Sequence, residues 1–234
     1  MLRFSDPHHF RKIVAGLCMV AAPLLLLVAM IVHPERQTDE AAQLAIVAGN
    51  LDAWLISHLL ALAAIVLAVP AVLGLMHMLR EREVATGHIG GALALVGLMA
   101  LVALVTIEGL VVRQMASGAE PAAMVALYES FTEVAGIFVP VFLLSFAFAV
   151  GVVVLAGGLL RAHAVQAWMA VFAAIGAVCL TIAGPVASDL LAIVGAAFLL
   201  VGLGSIGRQV ATESDEDWIH TPERPDFTAL PRMR

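Results

Sequence analysis

Six stretches of this sequence are apolar for about the length of a membrane crossing, and none carries a charge at its centre. They cover residues 13–32, 54–78, 89–112, 134–160, 166–183 and 189–207. A hydrocarbon core about 30 Å thick needs about 20 helical residues at about 1.5 Å each. The fifth and sixth stretches are the shortest. They are separated only by Gly184-Pro185-Val186-Ala187-Ser188, a turn sequence that makes them a hairpin, with Ser188 or Asp189 capping the sixth helix. The fold class expected is all-α, a polytopic membrane bundle of six transmembrane helices.

Composition supports lipid as the solvent. The chain is 62% hydrophobic and 13% charged, against about 25% charged in a soluble domain. The first stretch is preceded by Arg3, Arg11 and Lys12, as a signal peptide would be. Its apolar run, Ile13 to Val32, exceeds the roughly 7–15 residues of a signal core. It passes directly into His33-Pro34-Glu35-Arg36, so it is read as an uncleaved span. Cys18 and Cys179 fall at different depths and are expected to stay unpaired.

Lys and Arg set the orientation expected. With residues 1–12 in the cytoplasm, Arg3, Arg11, Lys12, Arg80, Arg82, Arg161, Arg208, Arg224, Arg232 and Arg234 lie inside and only Arg36 and Arg113 outside. This is the bias of a plasma (inner) membrane protein with both ends cytoplasmic. The two longer outer connections read as short interfacial helices. Thr38-Asp39-Glu40 starts one, and Pro121 starts the other, with Met124, Leu127, Tyr128 and Phe131 at helical spacing. An outward extension of the fourth span is the alternative for the second. Residues 208–234 are polar, with the acidic run Glu213-Ser214-Asp215-Glu216-Asp217, and are expected to form a disordered cytoplasmic tail.

Small residues four apart, such as Gly90/Ala94, Ala147/Gly151, Ala173/Ala177 and Ala192/Ala196, point to closely packed helices. Trp54 and Trp168 are expected at the two interfaces, and Pro70 and Pro140 inside helices 2 and 4.

The polar residues that enter the spans gather at one depth, the outer end. His33 ends the first span, and His58 lies one turn inside the second. Glu108 lies one turn inside the end of the third, with Glu133 and Asp189 opening the fourth and sixth. Ionisable groups in membrane are costly, so these five are the candidate ligand or proton pocket. Three readings compete: a structural pair of His58 with Glu108 or of Glu108 with Arg113, an outward-facing pocket whose histidine responds to pH, and a metal site. No HExxH or CxxC spacing favours the metal, and neither a metal nor another cofactor is expected.

There is no P-loop and no GxSxG, and Gly90-Gly91 opens a membrane helix instead of following a strand. The function expected is non-enzymatic: a transporter-like or sensor protein, with a scaffold or accessory subunit next and a metal-dependent enzyme last. The partners expected are the bilayer and a membrane or cytoplasmic protein; nothing resembles a nucleic-acid surface.

Overall fold

The computed structural model describes residues 6–118, 120–133 and 138–220, with the side chains of 131–133 and 138 left out. Among the described residues every regular element is helical. Helix α1 is Pro7–Val32, α2 Glu40–Gly49 and α3 Leu51–Met78. Helix α4, Val84–Ile107, passes through a π-helical turn, Glu108–Val112, into α5, Arg113–Ala116. Then come α6 Pro121–Glu133, α7 Phe138–Ser145, α8 Ala147–Ala162, α9 Ala167–Ala183, α10 Asp189–Thr212 and α11 Asp215–Ile219.

Local chemistry explains where these helices start. The Asp6 carboxylate accepts from the backbone N–H groups of His8 and His9 at 3.0 and 3.2 Å, and Pro7 fills the first helical position, where no N–H is needed. Asp39, one residue past Thr38, accepts from Ala42 N–H at 2.7 Å, and Ser188, one of the two caps expected there, accepts from Leu191 N–H at 3.3 Å.

Five segments are long and apolar enough to cross a membrane: Pro7–Val32, Leu51–Met78, Val84–Ala116, Val139–Ala162 and Asp189–Thr212. Large apolar side chains such as Ile31, Met99, Leu143 and Leu190 point outward around them, a surface that suits lipid. By this measure the chain is a multi-pass membrane protein. Helix α9, the sixth apolar rod, has 17 residues.

These rods form a ring. Neighbours run α1, α3, α4, α8, α9, α10 and back to α1. Three contacts in it are backbone against backbone. A Cβ on Gly16 would stand 2.8 Å from the Gly207 carbonyl, one on Gly151 2.3 Å from Ala94 N, and one on Gly176 2.5 Å from Leu199 N. Only glycine permits such approach, and close packing is what holds helices together in lipid. Gly90 and Ala94 on α4 thus meet Gly151 on α8 in one close contact.

Three expectations are revised. Trp54 is 4% exposed and faces the bundle, not an interface. Pro140 sits in the first turn of α7, and the break in the fourth span falls at Phe146, between α7 and α8; Pro23, inside α1, has the interior helix position that Pro70 shares. The described part of the expected tail is ordered helix: α10 continues to Thr212, and α11 docks through Trp218, which is 3% exposed. A single aromatic anchor and a Ser214 cap, accepting from Asp217 N–H at 3.0 Å, outweigh the polar composition there. Residues 221–234 of that tail lie outside the described residues, as do 134–137, where α6 would meet α7.

Candidate functional site

Six rods in a ring enclose space. With axes about 8–10 Å apart, each stands about that far from the centre, leaving the width of one more helix. Side chains fill part of it, and α3 and α8 touch across it. Much of the rest stays open because the inward residues are small. On α3 they are Ala61, Ala64, Ala68 and Ala71, and Ala156, Ala170, Ala173 and Ala192 face them from the other helices. The result is a lumen of about 430 Å³. Along α3 its lining runs from Trp54 to Leu75, about 30 Å by helix rise.

The lumen is apolar for most of this length and polar at the Trp54 end. His33, Arg36, Gln43, Trp54, Glu108 and Tyr128 line it there. The rings of His33, Trp54 and His58 cluster, with centroids 5.0 Å apart for His33 and Trp54, 5.3 Å for His33 and His58, and 4.3 Å for Trp54 and His58. Trp54 Nε1–H donates to the Glu108 carbonyl at 3.0 Å. That carbonyl opens the π-helical turn, where the α-helical hydrogen-bond ladder gives way; such turns recur at functional sites. Gly109 follows because His58 leaves no room for a side chain: a Cβ there would stand 2.8 Å from His58 Cβ.

The histidine tautomers follow from their partners. His58 Nδ1 lies 2.7 Å from the Trp54 carbonyl and His33 Nδ1 2.6 Å from the Pro34 carbonyl. A carbonyl only accepts, so each Nδ1 carries a proton, and the neutral His33 ring keeps its Nε2 lone pair. His58 Nε2 is 3.8 Å from Glu108 Oε2, too far for a direct hydrogen bond. Burial, with Arg36 and His58 beside it, pushes the His33 imidazole down to about 3, so it stays neutral at ordinary pH. Burial first, then Glu108 and Glu40, pushes the Tyr128 phenol up to about 12.

Of the five candidate residues the fold brings three together: His33, His58 and Glu108. Asp189 is elsewhere on the rim, engaged by the Arg36 guanidinium and by Arg36 N–H at 3.2 Å. The side chain of Glu133 lies outside the described residues. Arg113 turns to Asp52, 3.9 Å away, and to the Leu51 carbonyl, leaving Glu108. Among the described residues no three His, Cys, Asp or Glu side chains group as a metal ion would require.

The sequence reading missed Trp54, Tyr128, Gln43 and the lumen itself. Gln43 is 7% exposed; its Oε1 accepts from Gln37 N–H at 2.8 Å, and its Nε2 has no partner among the described residues. Leu44, Val47, Trp54, Val112 and Met115 form a separate apolar cluster, with Met124 and Tyr128 against it. Helices α2, α5 and α6 thereby cap this end. The one usable sequence signal was the stripe Ala61, Ala64, Ala68, Ala71 on a single face of α3. Comparison adds no relative: no family model, curated protein or solved structure matches the chain.

Proposed function

We propose that this is a six-span protein of the plasma membrane, with both ends cytoplasmic, that binds a small ligand through an outward-facing pocket as a transporter-like or sensor protein. The observation that carries the reading is the lumen: a long cavity with polar side chains gathered at one end. Its volume is within the range of about 300–1,000 Å³ usual for ligand pockets. The ten-to-two distribution of Lys and Arg supports the orientation. Helix α9, with 17 residues, meets the lower limit of about 17 for a span, and its two neighbours in the ring cover the segment on both sides.

Cysteine labelling tests both parts. In a Cys18→Ala, Cys179→Ala background, His163→Cys and Pro185→Cys should react with a membrane-impermeant maleimide from opposite sides of the membrane. Reaction from the same side would remove α9 as a span. Ala61→Cys, about two turns below the mouth, should react from outside only; labelling from the cytoplasm would invert the orientation, and no labelling from either side would remove the pocket.

A further inference from the structure

The Trp54 end of the lumen, taken here as its mouth, carries the Glu108 carboxylate and the His33 Nε2 as acceptors and the Gln43 amide and Tyr128 hydroxyl as donors. Glu108 is the exposed charge there, its side chain 47% accessible, and its nearest cationic candidate is His58 at 3.8 Å. His33 adds a neutral ring with an Nε2 lone pair. The one guanidinium lining the mouth, Arg36, is held by Asp189 and also reaches Met30 Sδ at 3.3 Å. An anion entering here meets a carboxylate and finds the arginine taken. An ammonium group meets a carboxylate and a lone pair, with the Trp54 ring, packed against His33 and His58, in the wall beside them. The buried Gln43 Nε2 is a donor without an acceptor among the described residues. Leaving such a group unsatisfied costs about 1–3 kcal/mol, and a ligand oxygen next to the ammonium would relieve it.

Below the mouth the lumen changes character. Ala61, Ala64, Ala68 and Ala71 offer no hydrogen bond, and the space is long and narrow. It fits a flexible chain better than a compact solute.

We infer that the lumen takes a single-chain amphiphile of the long-chain amine or amino-alcohol class, its ammonium between Glu108, His33 and Trp54 and its chain along the alanine face of α3. This rests on the ligand-pocket reading above and names the class of ligand. The chain gains little over a bilayer from the hydrophobic effect alone, so selectivity comes from the head group and from the shape of the lumen.

The test uses tritiated N-dodecylethanolamine and the full chain in lipid nanodiscs, with empty nanodiscs as background. Saturable binding of one probe per chain is expected. Glu108→Gln should weaken it about tenfold. So should Ala61→Cys, in the same cysteine-free background, once a bulky methanethiosulfonate reagent has been attached after folding. Dodecanoate should not displace the probe, and ethanolamine should do so only at far higher concentration. Displacement by dodecanoate, or unchanged binding in Glu108→Gln, overturns the head-group assignment. Equal displacement by ethanolamine, or no effect of the attached blocker, overturns the chain assignment. Either result leaves the pocket standing; a chain whose Ala61→Cys labels from neither side loses the pocket itself.

Discussion

The two ends of the helical ring handle charge in opposite ways. At the Trp54 end, among the described residues, Glu108 has no cation within hydrogen-bond distance and the Gln43 Nε2 has no partner, and both side chains line the lumen. At the other end the charges converge on α11. Lys12, 3% exposed, reaches Asp215 at 2.5 Å and the Glu213 carbonyl at 2.8 Å, and His9 reaches the same aspartate at 3.0 Å. The ring of His77 stacks on Trp218 at 4.2 Å while its Nε2–H donates to the Trp218 carbonyl at 2.8 Å. Arg80 donates to the carbonyls of Trp218 and Ile219. Paired charges and a buried tryptophan make this end a closure, although the Trp218 indole N–H has no partner among the described residues. The difference lies in how the charges are paired: tightly around Asp215 at the α11 end, and loosely, at 3.8 Å, between Glu108 and His58 at the other. Substitutions should therefore hurt stability at the α11 end and hurt binding at the Trp54 end.

The largest effect is expected from Trp218→Ala. Truncating a buried tryptophan costs about 3–5 kcal/mol. Here the loss is capped by what α11 contributes, because the helix can detach without preserving a cavity. The indole N–H also lacks a partner, which trims the figure. We expect a fall of about 3 kcal/mol in docking, read as protease cleavage near Ser214 in the variant and not in the parent. Equal resistance would show that Trp218 is not what holds the closure.

Lys12→Ala follows. It removes a buried cation together with its hydrogen bond to the Glu213 carbonyl and leaves Asp215 with His9, so the melting temperature should fall clearly, though by less than in Trp218→Ala. Thermal unfolding of the detergent-purified protein checks it. A loss under about 0.5 kcal/mol would show that Asp215, which is partly exposed, is solvated well enough by water.

The closure should also respond to pH, in a direction set by Glu213. Burial raises its carboxyl to about 7, opposed by Lys12 and Arg80 and helped by Asp217. Docked α11 therefore binds more protons than the undocked segment between the ordinary carboxylate value of 4.5 and about 7. Docking is strongest on the acid side and is lost as pH rises through about 7. Asp215 moves the other way, held low by Lys12 and His9, so its contribution is constant over this window and fails only in strong acid. Protease resistance should drop between pH 5 and about 8, and Glu213→Gln should remove that part of the dependence. A parent whose resistance rises over this range would reverse the assignment.

The contrast between the ends also marks what the sequence could and could not reveal. Spans were legible because an apolar run of fixed length has one physical meaning in lipid; α1, α3 and α10 differ from the expected segments only at their ends. The meeting of His33, His58 and Glu108 was foreseeable because helices joined by short connections are neighbours and all three lie near one depth. The lumen was not, since an alanine stripe reads equally as close packing, and only the closed order of the ring decides between contact and cavity. Trp54 misled for a related reason: a tryptophan near a span end fits an interface belt until its N–H finds the Glu108 carbonyl. The docked α11 was hidden by composition, because one aromatic residue among acids is too weak a signal on its own.

The smallest stability effect is expected at Glu108, and it bears hardest on the comparison. Glu108→Gln keeps the shape and the backbone carbonyl that Trp54 uses, and removes only a half-exposed charge. Pairs of this kind contribute about 0–1 kcal/mol, and at 3.8 Å this one belongs near the bottom of that range. Thermal unfolding should shift by less than about 0.5 kcal/mol, well below the change in Lys12→Ala. Should Glu108→Gln instead cost as much as Lys12→Ala, the carboxylate would be serving His58 as a structural partner. The Trp54 end would then be a second closure, leaving no free carboxylate for a ligand's ammonium group. A small shift in stability together with a large shift in probe binding is the pattern that separates the two ends.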